Sequence, residues 1–138
     1  MHKTVRFAIS LDHRLRDDFD RILVNKKYAT RSEAVRDLIR DRLVGEHWDA
    51  KQDTVGTITI VYDHHVRDLT EKLTSLQHDY HKLILSTMHV HLDHDHCIEV
   101  LVVKGKGKAV RTVADSLIST KGVKHGKLTM TTAGKELA

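Results

Sequence analysis

Two short runs carry the side chains with the most chemistry to offer, TMHVHLD (87–93) and CIEVLVV (97–103). Along an extended strand, alternation puts Thr87, His89, His91 and Asp93 on one side and Met88, Val90 and Leu92 on the other. Two imidazoles spaced this way point together, within chelating reach of one ion. In the second run Ile98, Val100 and Val102 read as the core face, which sends Cys97 and Glu99 to the opposite face. If the two runs pair as a hairpin with a shared apolar face, opposed residues differ in number by an even count. The loop then has an odd length, most simply Asp93, His94 and Asp95. That register sets Cys97 opposite His91 and Glu99 opposite His89. Two imidazoles and a thiol then share one patch, with a carboxylate beside them.

Imidazole with thiolate suits zinc, copper, nickel or cobalt. Three imidazoles and a thiolate in a tetrahedron indicate zinc, and in a plane Ni(II) or Cu(II); spacing leaves that choice open. The upstream helix predicted over 66–86 has an apolar stripe of Val66, Leu69, Leu73, Leu76, Tyr80 and Leu83. At about 100° per residue, His78 falls opposite that stripe. It points away from its own core, as a fourth ligand would, although most histidines on exposed helix faces are simply solvated. His81 lies on the flank. His2, His13, His47, His64, His65, His94, His96 and His125 are surface residues by default. Among them, His64–His65 or His94/His96 are the weaker candidates for an accessory metal.

Other chemistry is poorly supported. Cys97 with His91 and Asp93 could make a nucleophile, but no oxyanion device or cofactor motif accompanies them, so the chain is read as non-enzymatic. KGKGK (104–108) lacks the spacing of a phosphate-binding loop and reads as a basic strand-to-helix turn.

The elements that position these residues follow from periodicity. TITIVY (57–62), 87–93, 97–103 and GKLTMTT (126–132) read as strands, and 66–86 and 108–120 as helices. The order βαββαβ predicts a ferredoxin-like domain over 55–138. The first 47 residues follow another grammar. Val5–Ser10 reads as a short strand with Val5, Phe7 and Ile9 on one face and Arg6, Ala8 and Ser10 on the other. Asp12 can cap a helix to about Lys27, and Thr30-Arg31-Ser32-Glu33 is a capping box opening a second helix. Such a βαα unit is too small for a good core and leaves its strand unpaired. Both problems vanish if two copies pair their strands, so a dimer is expected. GEHWDAKQDTV (45–55) reads as a polar linker, with 48–54 as its core.

Composition agrees with a small globular α+β chain. Hydrophobic residues make 40% and charged residues 30% of 138, and no apolar run approaches the roughly 20 residues that span a bilayer. MHKTVRFAIS has no apolar signal core, so a cytoplasmic location is expected. The single cysteine excludes an intrachain disulfide, and 4% aromatics are too few for a single-strand stacking platform. Residues 1–47 hold 11 basic against 8 acidic residues, most of the net charge of +4. Histidine, at 12 residues, is the outlier.

RFAISLD (6–12) and YATRSEAVRDLIR (28–40) resemble ribbon-helix-helix DNA-binding domains. LQHDYH (76–81), HVHLDHDHCIEVLVVKG (89–105) and GVKHGKL (122–128) resemble the regulatory domain of the NikR family of nickel-responsive repressors, a likeness that covers essentially the whole chain. The resemblance implies an N-terminal ribbon-helix-helix domain joined to an ACT-like, ferredoxin-like domain, assembled as a homotetramer, a dimer of dimers. It implies one square-planar Ni(II) per subunit, with ligands mapping to His89, His91 and Cys97 of one subunit and His78 of another. Glu99 would stand beside them. A second cation site of the family maps its carboxylates to Glu33 and Asp37. The paired strands would enter the major groove of a double-stranded operator through Arg6, Ala8 and Ser10, with Arg31 and Ser32 near a phosphate. Ala8 departs from family members that carry a hydroxyl there and offers only an apolar contact.

The expected function is nickel-controlled binding to a palindromic operator, repressing nickel uptake. The rivals are an antitoxin-like or constitutive DNA-binding protein whose second domain takes a protein or small molecule, and a metal buffer without a DNA target.

Overall fold

The computed structural model describes residues 3–49 and 53–134, without the side chains of 47–49. His2, the side chain of His47 and part of the expected linker lie outside what is described. The elements run α1 (His13–Asn25), α2 (Arg31–Asp49), β1 (Asp53–Asp63), α3 (Leu69–Asp79), β2 (Ile84–His91), β3 (His96–Lys106), α4 (Gly107–Ile118) and β4 (Val123–Thr131). The chain divides into two compact units, Met1–Arg40 and Asp41–Ala138.

In the first unit Asp12 caps α1 through its carboxylate, which accepts from Arg14 N at 2.8 Å. At α2 the expected capping box forms on the Thr30 side, while Glu33 reaches one residue past the cap. Thr30 Oγ1 accepts from Glu33 N at 3.2 Å, and the Glu33 carboxylate accepts from Ala29 N at 3.3 Å. Residues 3–12 form no strand. A ladder needs a second strand, and among the described residues of this chain none pairs with them. Val5 (78% exposed), Phe7 (68%) and Ile9 (62%) stand open to solvent.

The second unit has the expected βαββαβ order. All its strand pairs are antiparallel in the order β2–β3–β1–β4, compatible with a ferredoxin-like, ACT-like domain. Helices and sheet share a core of Ile58, Ile60 and Tyr62 from β1, Leu101 and Val103 from β3, Leu69 and Leu73 from α3, and Val110, Val113, Ala114 and Leu117 from α4. Lys106, in the middle of the KGKGK run, ends β3 and is the N-cap of α4, so the run is a strand-to-helix junction as expected.

Three sequence expectations need correction. First, the face of the hairpin is inverted. Cys97, Glu99, Leu101 and Val103 face the helices, whereas Ile98, Val100 and Val102 lie half-buried on the uncovered face with exposed Met88 and Val90. Both faces of β3 are apolar, so alternation says which residues travel together, not which set the helices cover. Second, α3 stops at Asp79 rather than near 86. The amides of Leu83 and Ile84 both donate to Tyr80 O, at 2.9 and 3.2 Å, making a turn that still presses Tyr80 and Leu83 onto the core. Helical spacing thus continued past the helix by coincidence. Third, α2 extends through Gly45 to Asp49, so the first part of the expected linker is helical. One internal glycine costs a helix only about 1 kcal/mol, and burial of Val44 in the second unit's core holds this end in place.

Candidate metal centre

The β2–β3 hairpin has the expected register. His91 pairs with Cys97, His89 with Glu99, Val90 with Ile98 and Met88 with Val100. The tight loop between them is built on Asp93, whose Oδ1 accepts from the amides of Asp95 and His96, both at 2.8 Å. These bonds and the His96 ring hold the Asp93 carboxyl down to about 2. On the other side of β3, the central strand β1 sets Tyr62 opposite Cys97 and Glu99 opposite Ile60.

Cys97 is fully buried, and His91 Nδ1 lies 3.3 Å from its Sγ. The third donor beside them is His64, just past the end of β1. One donor atom each of His64, His91 and Cys97 lie within 4.8 Å of one another. The His64 and His91 rings meet edge to face at 5.5 Å. His64 also places Nε2 2.7 Å from His94 O. By sequence pattern His64 reads as a surface histidine, at most part of a weak accessory pair with His65. The signal that finds it is the pairing of β1 with β3, which brings the end of β1 beside Cys97.

His89 is turned toward a different partner. Its Nδ1 lies 3.2 Å from Glu99 Oε1, and its ring centroid is 5.2 Å from that of His91. Glu99 is almost wholly buried, and its carboxylate collects partners from three elements. Tyr62 OH donates to Oε1, and Gln77 Nε2 of α3 donates to Oε2 at 2.8 Å. An ionised carboxylate only accepts, so it selects the His89 tautomer with hydrogen on Nδ1 and leaves Nε2 with a lone pair. Burial, and then the Glu99 carboxylate, push the Tyr62 phenol well up, so it remains a donor.

His78 stands exposed on α3, one residue beyond Gln77, with its ring stacked 5.9 Å from His81. It projects away from its own core, as expected.

Burial, followed by the negative charges of Glu99, Asp63 and Asp93, raises the Cys97 thiol above its usual value. Without a cation the thiol therefore keeps its proton. The same surroundings favour a metal ion, whose charge compensates both thiolate and carboxylates. Sulfur with imidazole nitrogen selects a borderline-soft ion over magnesium or calcium. The donor set fits a transition metal.

In the first unit, Arg6, Ala8 and Ser10 are exposed within residues 3–12. Arg31 makes a two-pronged pair with Asp20 of α1, at 2.8 and 2.7 Å, which holds the Asp20 carboxyl below its usual range. Ser32 is exposed in the first turn of α2. Asp37 accepts from Tyr28 OH at 2.6 Å and pairs with Arg40 at 3.5 Å, while Glu33 accepts from the Ala29 amide.

Residues 55–131 match the family described as NikR C terminal nickel binding domain. A protein of Geobacter metallireducens, named "Putative nickel-responsive regulator", is 58% identical over 138 residues, covering 99% of both chains. Proteins of the same name from Solibacter usitatus and Nitratidesulfovibrio vulgaris (strain Miyazaki F) are 59% and 55% identical, covering 96% and 99% of both chains. Among solved structures, an uncharacterized protein of Thermotoga maritima matches with a TM-score of 0.52 and 19% identity. The match covers 57% of this chain and 98% of that one, a likeness of fold alone. No helix among the described residues is long and apolar enough to cross a membrane.

Proposed function

The chain belongs to the NikR family, and from that premise we propose that it is a nickel-responsive transcriptional regulator. Loaded with Ni(II), one per subunit, it binds a palindromic double-stranded DNA operator and represses nickel-uptake genes in the cytoplasm. His89, His91 and Cys97, with His78 of the partner subunit, would hold the ion. The observation that carries this reading is the 3.3 Å approach of His91 Nδ1 to the buried Cys97 sulfur. Glu99 supports it by orienting His89, and exposed His78 is available to a second subunit.

The N-terminal unit is proposed as the ribbon-helix-helix reader. The exposed alternation of Val5, Phe7 and Ile9 suits pairing with the same segment of a second copy. Arg6, Ala8 and Ser10 would then face the major groove. Arg31 and Ser32 would approach a phosphate at the start of α2, where free amides and the helix dipole favour an anion. Glu33 and Asp37 would serve a second cation after exchanging their present hydrogen bonds. Four such chains make a dimer of dimers, and nickel shared between subunits favours the arrangement competent for DNA.

The test is a titration of anaerobic, metal-free protein with Ni(II), followed by absorption. An intense thiolate-to-nickel band saturating at one ion per chain is expected, absent from Cys97→Ser, with operator binding that depends on the same ion. An unchanged spectrum in Cys97→Ser overturns the reading.

A further inference from the structure

Arg31 opens α2, and its guanidinium reaches across to α1. Nε donates to Asp20 Oδ1 at 2.8 Å and Nη2 to Asp20 Oδ2 at 2.7 Å, one fork upon another. The neighbouring ion pairs are of another kind. Arg16–Asp17, Arg21–Asp18 and Arg40–Asp37 each stay within a single helix. Arg31–Asp20 joins two helices, and among the described residues no other side chain bonds to Asp20.

A guanidinium carries five N–H donors on a rigid plane. Asp20 takes two of them along the Nε edge, which leaves both donors of Nη1 and one of Nη2. Those three belong to a side chain that is 60% exposed. It stands at the first residue of a helix, where the opening amides lack helical acceptors. A free arginine on such a surface samples many rotamers, and a ligand that uses it must first fix it. Here one edge is fixed beforehand. For folding, such an exposed pair counts for little.

We propose that Asp20 is a positioning residue for DNA. It clamps one edge of the Arg31 guanidinium, so that the other edge and the opening amides of α2 take one backbone phosphate together. This rests on the reading of the N-terminal unit as a DNA reader and adds a residue that touches no DNA itself. The sign of its effect is diagnostic. Coulomb attraction alone makes an aspartate beside a phosphate unfavourable, so removing it would tighten binding. Loss of the clamp acts in the opposite direction, because the freed arginine must then be ordered on the DNA.

The test titrates the nickel-loaded full chain onto a mixed-sequence DNA duplex over a series of salt concentrations. A phosphate contact is independent of base sequence, so no operator is needed. Arg31→Ala is expected to bind more weakly, with a salt slope shallower by about one. Asp20→Ala is expected to weaken binding roughly 3–10-fold, despite its gain in positive charge. Asp20→Asn, which keeps one acceptor, should fall between Asp20→Ala and wild type, and it carries the test if Asp20→Ala does not fold. Circular dichroism and the nickel band should be unchanged in each folded variant. Asp20→Ala/Arg31→Ala should bind no more weakly than Arg31→Ala alone. Asp20 variants that bind as tightly as wild type, or more tightly, overturn the positioning role while leaving Arg31 as a contact. A further loss in the double variant also overturns it, by assigning Asp20 to the packing of α1. Undiminished binding by Arg31→Ala overturns the phosphate contact itself, and the role of Asp20 with it.

Discussion

Gln77 of α3 donates to Glu99 of β3 at 2.8 Å, so the helix that carries His78 is tied to the strand that carries Cys97 at a single buried carboxylate. That carboxylate also receives Tyr62 and His89, and so joins β1, β2, β3 and α3. Glu99→Gln keeps the volume but brings an amide that no longer dictates the His89 tautomer. Nickel affinity is expected to fall about 10–100-fold, the usual cost of losing an outer partner of a ligand. A competition titration followed on the Cys97 band measures it. Unchanged affinity would remove Glu99 from any role at the centre.

The Asp93 turn makes a pH prediction. Its carboxyl is held down to about 2 by the His96 and Asp95 amides and by the His96 ring. A depressed folded value means stabilisation that is present above the unfolded value of about 4 and lost as pH falls through the folded one. Wild type should therefore melt higher than Asp93→Asn above about pH 4. The gap should close between there and about pH 2. Thermal melts across that window check it, and a gap that persists undiminished in acid would contradict the assignment.

Gly126 of β4 sits under α4. A Cβ at this position would lie 2.5 Å from Ile118 Cγ1 and 3.0 Å from Cγ2. Gly126→Ala should cost about 1–3 kcal/mol by overpacking, read as a lower midpoint in denaturant. Gly126→Ala/Ile118→Ala should lose the part of that cost due to the clash. A single variant as stable as wild type would show that α4 is loosely seated.

If Arg6 reads the operator as proposed, Arg6→Ala should lose about 1–3 kcal/mol of discrimination at one base position, the value of a two-pronged contact to guanine. Affinity for unrelated DNA should change far less. Titration of operator and scrambled duplexes at one salt concentration separates the two. An equal loss on both would assign Arg6 to a phosphate.

Much of the second unit was legible in the sequence. Period-two alternation and loop parity located the pairing of His91 with Cys97, because a one-residue slip would have sent one apolar set to the wrong face. The same logic failed on which face is covered. Ile98-Val100-Val102 and Leu101-Val103 are equally apolar, and the decision belongs to β1, whose Ile58, Ile60 and Tyr62 are not adjacent in sequence to either. His64 was missed for the same reason: its nearness to Cys97 is a β1–β3 relationship formed across more than thirty residues. Residues 3–12 illustrate a different limit, since a strand needs a partner before it is one.

The sheet order has a kinetic consequence. β2, which carries His89 and His91, is an edge strand, whereas β3, which carries Cys97, lies inside the sheet. Edge strands fray first, and local opening costs far less than global unfolding. If the ion is held as proposed, its departure would begin with the imidazoles of the edge strand, and the sulfur, on a strand with two neighbours, would let go last. Amide hydrogen exchange along β2 would slow sharply on loading and that along β3 hardly at all. On that proposal the metal's residence time would be set by how often the outer strand peels, a property of the backbone ladder as much as of the ligands.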